Sequence, residues 1–186
     1  MRKVKYVLTT RSLKSIYYAL FHSHLIYCLI AYSCCNPKNI KNLALKQKQA
    51  IRLVAKAKYN AHTKPLFASL NILPLENLIT LQQLQFLHPY EYNLLPSSFT
   101  SYFSSNEDRN EMYRLRNATE LYVPRPRTEN LKRFPFYTFP VLWNDTSDEI
   151  KSIISKQLFK KTIKIDCISR LSEFNCERLF CYACMN

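Results

Sequence analysis

Apolar residues return every three or four positions between Asn39 and Lys58, at Ile40, Leu43, Ala50, Val54 and Ala57, and only Gln47 breaks the stripe. That 3.6-residue period predicts an amphipathic helix. On a neighbouring face Lys41, Lys48, Arg52 and Lys56 line up, giving a basic ridge along the same helix. A further helix is predicted from about Pro74, whose fixed φ suits a first turn, with Glu76 favourably placed on the helix dipole. It should stop at or before His88, because Pro89 follows. Upstream, Ser15 to Cys35 is almost continuously apolar, which predicts a helix covered by protein on nearly all faces. Following a basic start, the same run could instead anchor the chain in a membrane, with the basic residues as its cytoplasmic flank. His22, Ser23 and His24 interrupt the run near mid-span, which argues against lipid.

The pattern changes in the second half. Leu95 to Asn117 is rich in Ser, Asn and charge, and reads as a surface loop or boundary. Leu121 to Trp143 carries Pro124, Pro126, Pro135 and Pro140 among aromatics, and predicts an irregular, aromatic-packed segment. Asp145 to Ile165 returns to helical spacing, with Ile150, Ile153, Ile154, Leu158 and Ile165 as core face and Lys151, Lys156, Lys160, Lys161 and Lys164 outside. The expected fold is therefore mainly α. It comprises a basic helical region over 1–95, a loop or linker over 96–120, and over 121–186 the Pro/aromatic segment, a C-terminal helix and a Cys-containing tail.

Charge narrows the class of partner. The first 75 residues hold thirteen Lys and Arg and no Asp or Glu, so they carry +13 of the formal +14; the first carboxylate is Glu76. A field of one sign attracts polyanions. Arg11, Lys14, Lys41, Lys48, Arg52, Lys56 and Lys58, with Arg2, Lys3 and Lys5, are the candidates for contact with RNA or DNA phosphates, and Tyr6 or Tyr59 for stacking on unpaired bases. A solvated helix face is the plainer reading of the ridge, but thirteen cations without one acid are unusual for it.

Other chemistries are poorly served. With no glycine in 186 residues, phosphate-cradling loops, dinucleotide fingerprints and nucleophile elbows cannot be written, and no cofactor or small-molecule substrate is expected. Asp108, Asp145, Asp148 and Asp166 are the only aspartates and none are adjacent, so a two-metal centre is not expected; Asp145, Asp148 and Glu149 read as a helix start. His22 and His24 point apart on a helix. Cys167, Cys176, Cys181 and Cys184 could hold a tetrahedral zinc, but paired C-x2-C modules are lacking, and free thiols on an apolar tail are the simpler reading. Seven Cys with no even framework fit reduced thiols in nucleus or cytoplasm, with a membrane location as the alternative.

Three segments together resemble a known family. Ser15 to Ser33, SIYYALFHSHLIYCLIAYS, resembles the LYYSLIHSHLNYGILVWG stretch that follows the palm in non-LTR retrotransposon reverse transcriptases of the jockey-like and related groups. Lys46 to Leu78, containing QKQAIRLVAKAKYNAHTKPLFASLNILPLENL, is similar to their QKKAIRII…HTxPLFxxLxILxLxxL. Tyr122 to Lys161, with YVPRPRTE, FPVLWN and QLFKK, is similar to their PRxRT…GPxLWNxLPxxIK…FKxxLK tail. Order and approximate spacing agree from residue 15 to residue 161. The chain departs at Cys28 and Ser33, where the family has glycine, at Tyr32 for its Trp, and at Thr146 and Ser147 for its Leu-Pro.

The resemblance implies the helical thumb and downstream extension of an RNA-directed DNA polymerase, whose basic surface would track template and nascent strand. The family's catalytic aspartates lie on the palm, upstream of the matched segments, so the resemblance carries no catalysis here. It implies a C-terminal fragment that is not itself an enzyme and binds RNA or DNA without sequence preference, with the missing palm of the parent enzyme as a further partner. The alternatives are a small membrane-associated basic protein anchored by residues 15–35 and a translated remnant without function.

Overall fold

The computed structural model describes residues 5–92, 94–100, 102–109 and 118–172. These are mainly helical; the only β pairing among them is one isolated antiparallel bridge between Ser105 and Leu121. The chain forms two compact units, one of residues 1–79 with 164–186 and one of residues 80–163.

In the first unit α1 (Thr10–Ile16) begins at Thr9, whose hydroxyl accepts a hydrogen bond from Ser12 N–H. The helix then widens into a π-helical turn, Tyr17–His22, and closes as α2 (Ser23–Ile26). Tyr27 is extended, Cys28 takes the left-handed conformation (φ 50°), and α3 (Leu29–Ser33) follows. The single helix expected across Ser15 to Cys35 is thus broken at Tyr27 and Cys28. The break turns Leu25 and Leu29 inward, leaves Tyr27 76% exposed, and lets the Tyr32 hydroxyl donate to the Leu25 carbonyl near the end of α2. Among the described residues no helix is long and apolar enough to cross a membrane.

The amphipathic stripe becomes α4 (Pro37–Val54), opened by Pro37 at its first position and by the Asn36 side chain, which accepts from Lys38 N–H at 3.0 Å. Its inner face presents Gln47, Ala50, Ile51 and Val54 to a core that includes Leu13, Tyr17 and Phe67. Gln47 is no flaw in that face. Its Nε2 donates to the Tyr17 hydroxyl at 3.0 Å and to the Leu73 carbonyl at 2.9 Å, so a buried amide spans three parts of the core. Burial pushes the Tyr17 phenol up to about 12, against a smaller opposing effect of the Gln47 hydrogen bond.

α4 ends four residues before the predicted Lys58. Lys56 adopts φ 54°, with Lys56 N–H bonded to Leu53 O at 3.2 Å and Ala57 N–H to Arg52 O at 3.0 Å. This is a Schellman turn built without glycine. α5 (Thr63–Ser69) closes the same way on Asn71, also at φ 54°. α6 (Leu75–Glu91) starts where Pro74 and Glu76 predict, but it runs through Pro89. Only three helical residues remain from that proline onward, so one missing N–H is lost where the helix is about to end.

In the second unit the stretch expected as loop carries two single turns, α7 (Ser97–Thr100) and α8 (Asn106–Arg109), and Phe103 is buried. The backbone from Tyr122 to Asn130 has neither helix nor strand, as the prolines predict, and a 3₁₀ turn follows at Leu131–Arg133. Yet α9 (Pro135–Asn144) is helical. Pro135 sits at its first position, where a missing N–H costs nothing, and Phe139 and Trp143 are buried four residues apart on one face, which offsets the bond lost at Pro140. Asn144 closes this helix and pairs with backbone like a strand, donating to Leu121 O at 2.8 Å and accepting from Leu121 N–H at 3.0 Å.

The last predicted helix is split. α10 (Asp148–Lys151) is one turn, and α11 (Lys156–Ser172) restarts after four residues with a new phase. Its core face is Phe159, Ile163 and Cys167, whereas the expected Leu158 and Ile165 are 52% and 58% exposed. The interruption changes which residues three and four apart face inward.

Three substitutions check this account. Gln47→Leu should destabilise the chain by about 2 to 4 kcal/mol in urea unfolding, because a buried hydroxyl and carbonyl both lose a partner. Tyr17→Phe should cost only about 1 kcal/mol. It should also flatten the loss of stability at high pH: the folded phenol keeps its proton to about 12 while the unfolded one ionises near 10.0, so that contribution is complete below pH 10.0 and lost as pH rises through 12. Separately, Cys28→Gly should raise stability by about 0.5 to 1 kcal/mol, since glycine enters the left-handed region without a Cβ clash.

Candidate nucleic-acid interface

The predicted phosphate contacts fall into different structural roles. Arg11 and Lys41 are exposed on α1 and α4. Lys14, by contrast, is half-buried and its ammonium donates to the carbonyl of Leu70, the residue that closes α5. A cation at a helix C-terminus is stabilising, so Lys14 serves the fold. Lys48 is half-buried beside Thr63, Phe67 and Glu76 in a cleft of about 270 Å³. Lys56 and Lys58 are exposed, but they lie in the turn after α4 and do not extend its ridge. Arg2 and Lys3 lie outside the described residues.

Arg52 is the most specifically placed. It is half-buried near the end of α4, and its Nε donates to Ala61 O at 2.9 Å, which fixes the plane of the guanidinium. Burial lowers its pKa, and the Tyr59 phenol pulls weakly the other way. An arginine stays charged under either influence.

Around Arg52 the chain builds a cleft of about 350 Å³ from Lys5, Tyr6, Gln49, Leu53, Ala57 and Tyr59. Tyr6 is 81% exposed and Tyr59 79% exposed. The Lys5 ammonium lies 4.7 Å from the centroid of the Tyr6 ring. Among the described residues no carboxylate lines this cleft. The sequence reading named Tyr6 and Tyr59 as alternatives, and the structure brings both to one place with Arg52. It missed Gln49, although its position three residues before Arg52 puts both on one helix face.

The other candidates have different surroundings. Asp148 and Glu149 occupy the first turn of α10, as the helix-start reading expects, but Asp145 closes α9 instead and Ser147 stands at the N-cap of α10. His22 packs its ring 5.0 Å from Tyr18 and 6.0 Å from Tyr17, while His24 is exposed. Cys167 is buried on the inner face of α11, and Cys176, Cys181 and Cys184 lie outside the described residues. Among the described residues no three His, Cys, Asp or Glu are grouped to hold a metal ion.

No family model, no curated protein and no solved structure matches the chain.

The placement of Lys14 separates folding from binding. Lys14→Met should lower stability by about 1 kcal/mol. Its log-log salt slope for single-stranded RNA binding should equal that of the wild type, as measured by anisotropy titration at several salt concentrations.

Proposed function

We propose that the chain is the post-palm part of a non-LTR retrotransposon reverse transcriptase, its thumb and downstream extension, which binds RNA or DNA through backbone phosphates and carries no polymerase chemistry of its own. The observation that carries the binding reading is the exposed set Arg11, Lys41, Lys56 and Lys58, on a part of the chain with no carboxylate before Glu76. Such a surface repels itself and gains from a polyanion, and its contacts carry no sequence information.

Two features support the origin. Cys28 adopts the left-handed conformation at a position where the family pattern has glycine, so this chain keeps the turn while losing the residue that suits it best. The Asn of the LWN motif, Asn144, pairs with Leu121, the residue before the YVPRPR stretch; two matched motifs thus meet in one local structure. The absent catalytic aspartates belong to the palm, which is the natural second partner of this surface.

Replacing Lys41, Lys56 and Lys58 together by Gln should flatten the salt slope for single-stranded RNA by about 2, at about 0.7 per phosphate contact. The loss should be equal on two oligonucleotides of unrelated sequence. An unchanged slope would return these residues to a solvated surface, and a strong preference for one oligonucleotide would overturn sequence tolerance.

A further inference from the structure

Phosphate contacts alone do not explain the cleft around Arg52. A surface that only tracks a backbone has no use for two tyrosines each about four-fifths exposed. In this cleft they accompany an arginine, a lysine and a neutral amide, with Leu53 and Ala57 completing the wall.

We infer that the cleft takes an unpaired nucleobase, stacked on the rings of Tyr6 and Tyr59, with a flanking phosphate at Arg52, so that the chain selects single strands over duplex. The inference rests on the nucleic-acid reading above and names the feature that this site recognises. The chemistry of each wall supports it. A tyrosine ring offers a π face that any base can stack on, without regard to sequence. In a duplex those faces are covered by neighbouring base pairs, and only the phosphates remain accessible to such a site.

Arg52 suits the phosphate because its Nε is already committed to Ala61 O. The terminal nitrogens of the fork are left for an incoming anion, and little side-chain freedom remains to be lost. Lys56 and Lys58 are exposed and alternate along the chain with the lining residues Ala57 and Tyr59, which adds positive charge at the rim. Gln49 supplies both a donor and an acceptor, so it can meet the edge of any base. An acidic peptide would satisfy the charges, but it would offer neither tyrosine a flat ring to stack on.

The test compares three probes of equal length on the full chain: a single-stranded oligonucleotide, an abasic strand with the same phosphates, and a duplex. Wild type should bind the base-bearing strand about tenfold more tightly than the abasic one, the scale of one stacked base. Tyr6→Leu with Tyr59→Leu should erase that difference while leaving abasic binding, duplex binding and salt slope unchanged. Tyr6→Phe with Tyr59→Phe should retain it, because stacking needs the ring and not the hydroxyl. Equal wild-type affinity for base-bearing and abasic strands would overturn the inference while leaving phosphate binding intact. So would a Leu variant that weakens all three probes alike. Failure of wild type to bind any probe would instead sink the nucleic-acid reading, and the inference with it.

Discussion

A neutral amide in the middle of an apolar stripe sets the register of the basic half of this protein. Gln47 donates to the Tyr17 hydroxyl and to the Leu73 carbonyl, and neither bond can be kept if α4 rotates or slides. Hydrophobic burial by itself is indifferent to small rotations, whereas a buried polar group left without its partner is costly. With Gln47 turned inward, the 100° step of an α-helix carries Gln49, Arg52 and Leu53 roughly to the opposite side. Those three line the cleft, so the buried amide determines where the candidate binding face appears.

The absence of glycine is the second constraint, and two of the three left-handed positions are filled by residues that tolerate that region poorly. Cys28, Lys56 and Asn71 all adopt φ near 50°. Of these only Asn has a side chain that visits this region with any ease. The turn at Lys56 is also where fold and candidate function meet. Its bond from Ala57 N–H to Arg52 O folds the chain back at the end of α4, and Tyr59 then lines the same cleft as Arg52. A helix continuing to Lys58, as the apolar period suggests, would have carried the basic residues onward along one line.

The positive charge is divided between the fold and the surface. Lys14 is drawn to the carbonyl end of α5, and Arg52 gives one donor to Ala61, while Arg11, Lys41, Lys56 and Lys58 stay in solvent. Without acids among the first 75 residues, these surface charges have few intramolecular partners to choose from. Carbonyl oxygens therefore take a role that carboxylates fill in most proteins, and a bound polyanion would stabilise the folded state by mass action.

Much of this was legible in the residues themselves. The stripe from Ile40 to Val54, Glu76 in the first turn of α6 and the concentration of charge before it all depend on neighbours a few positions apart, and local spacing determines them. The exposed tyrosines could be named as well, because aromatic residues inside a basic segment stand out in composition. What could not be read was decided by partners far along the chain. Pro135 to Asn144 is helical because Phe139 and Trp143 are buried; Phe159, Ile163 and Cys167 face inward because α11 restarts after a break. Lys14 meets a carbonyl 56 residues away, and Gln47 a hydroxyl 30 residues away. Periodicity reports which residues share a face, but only tertiary packing decides what that face meets, since the free energy of burial and of a satisfied hydrogen bond belongs to both partners at once.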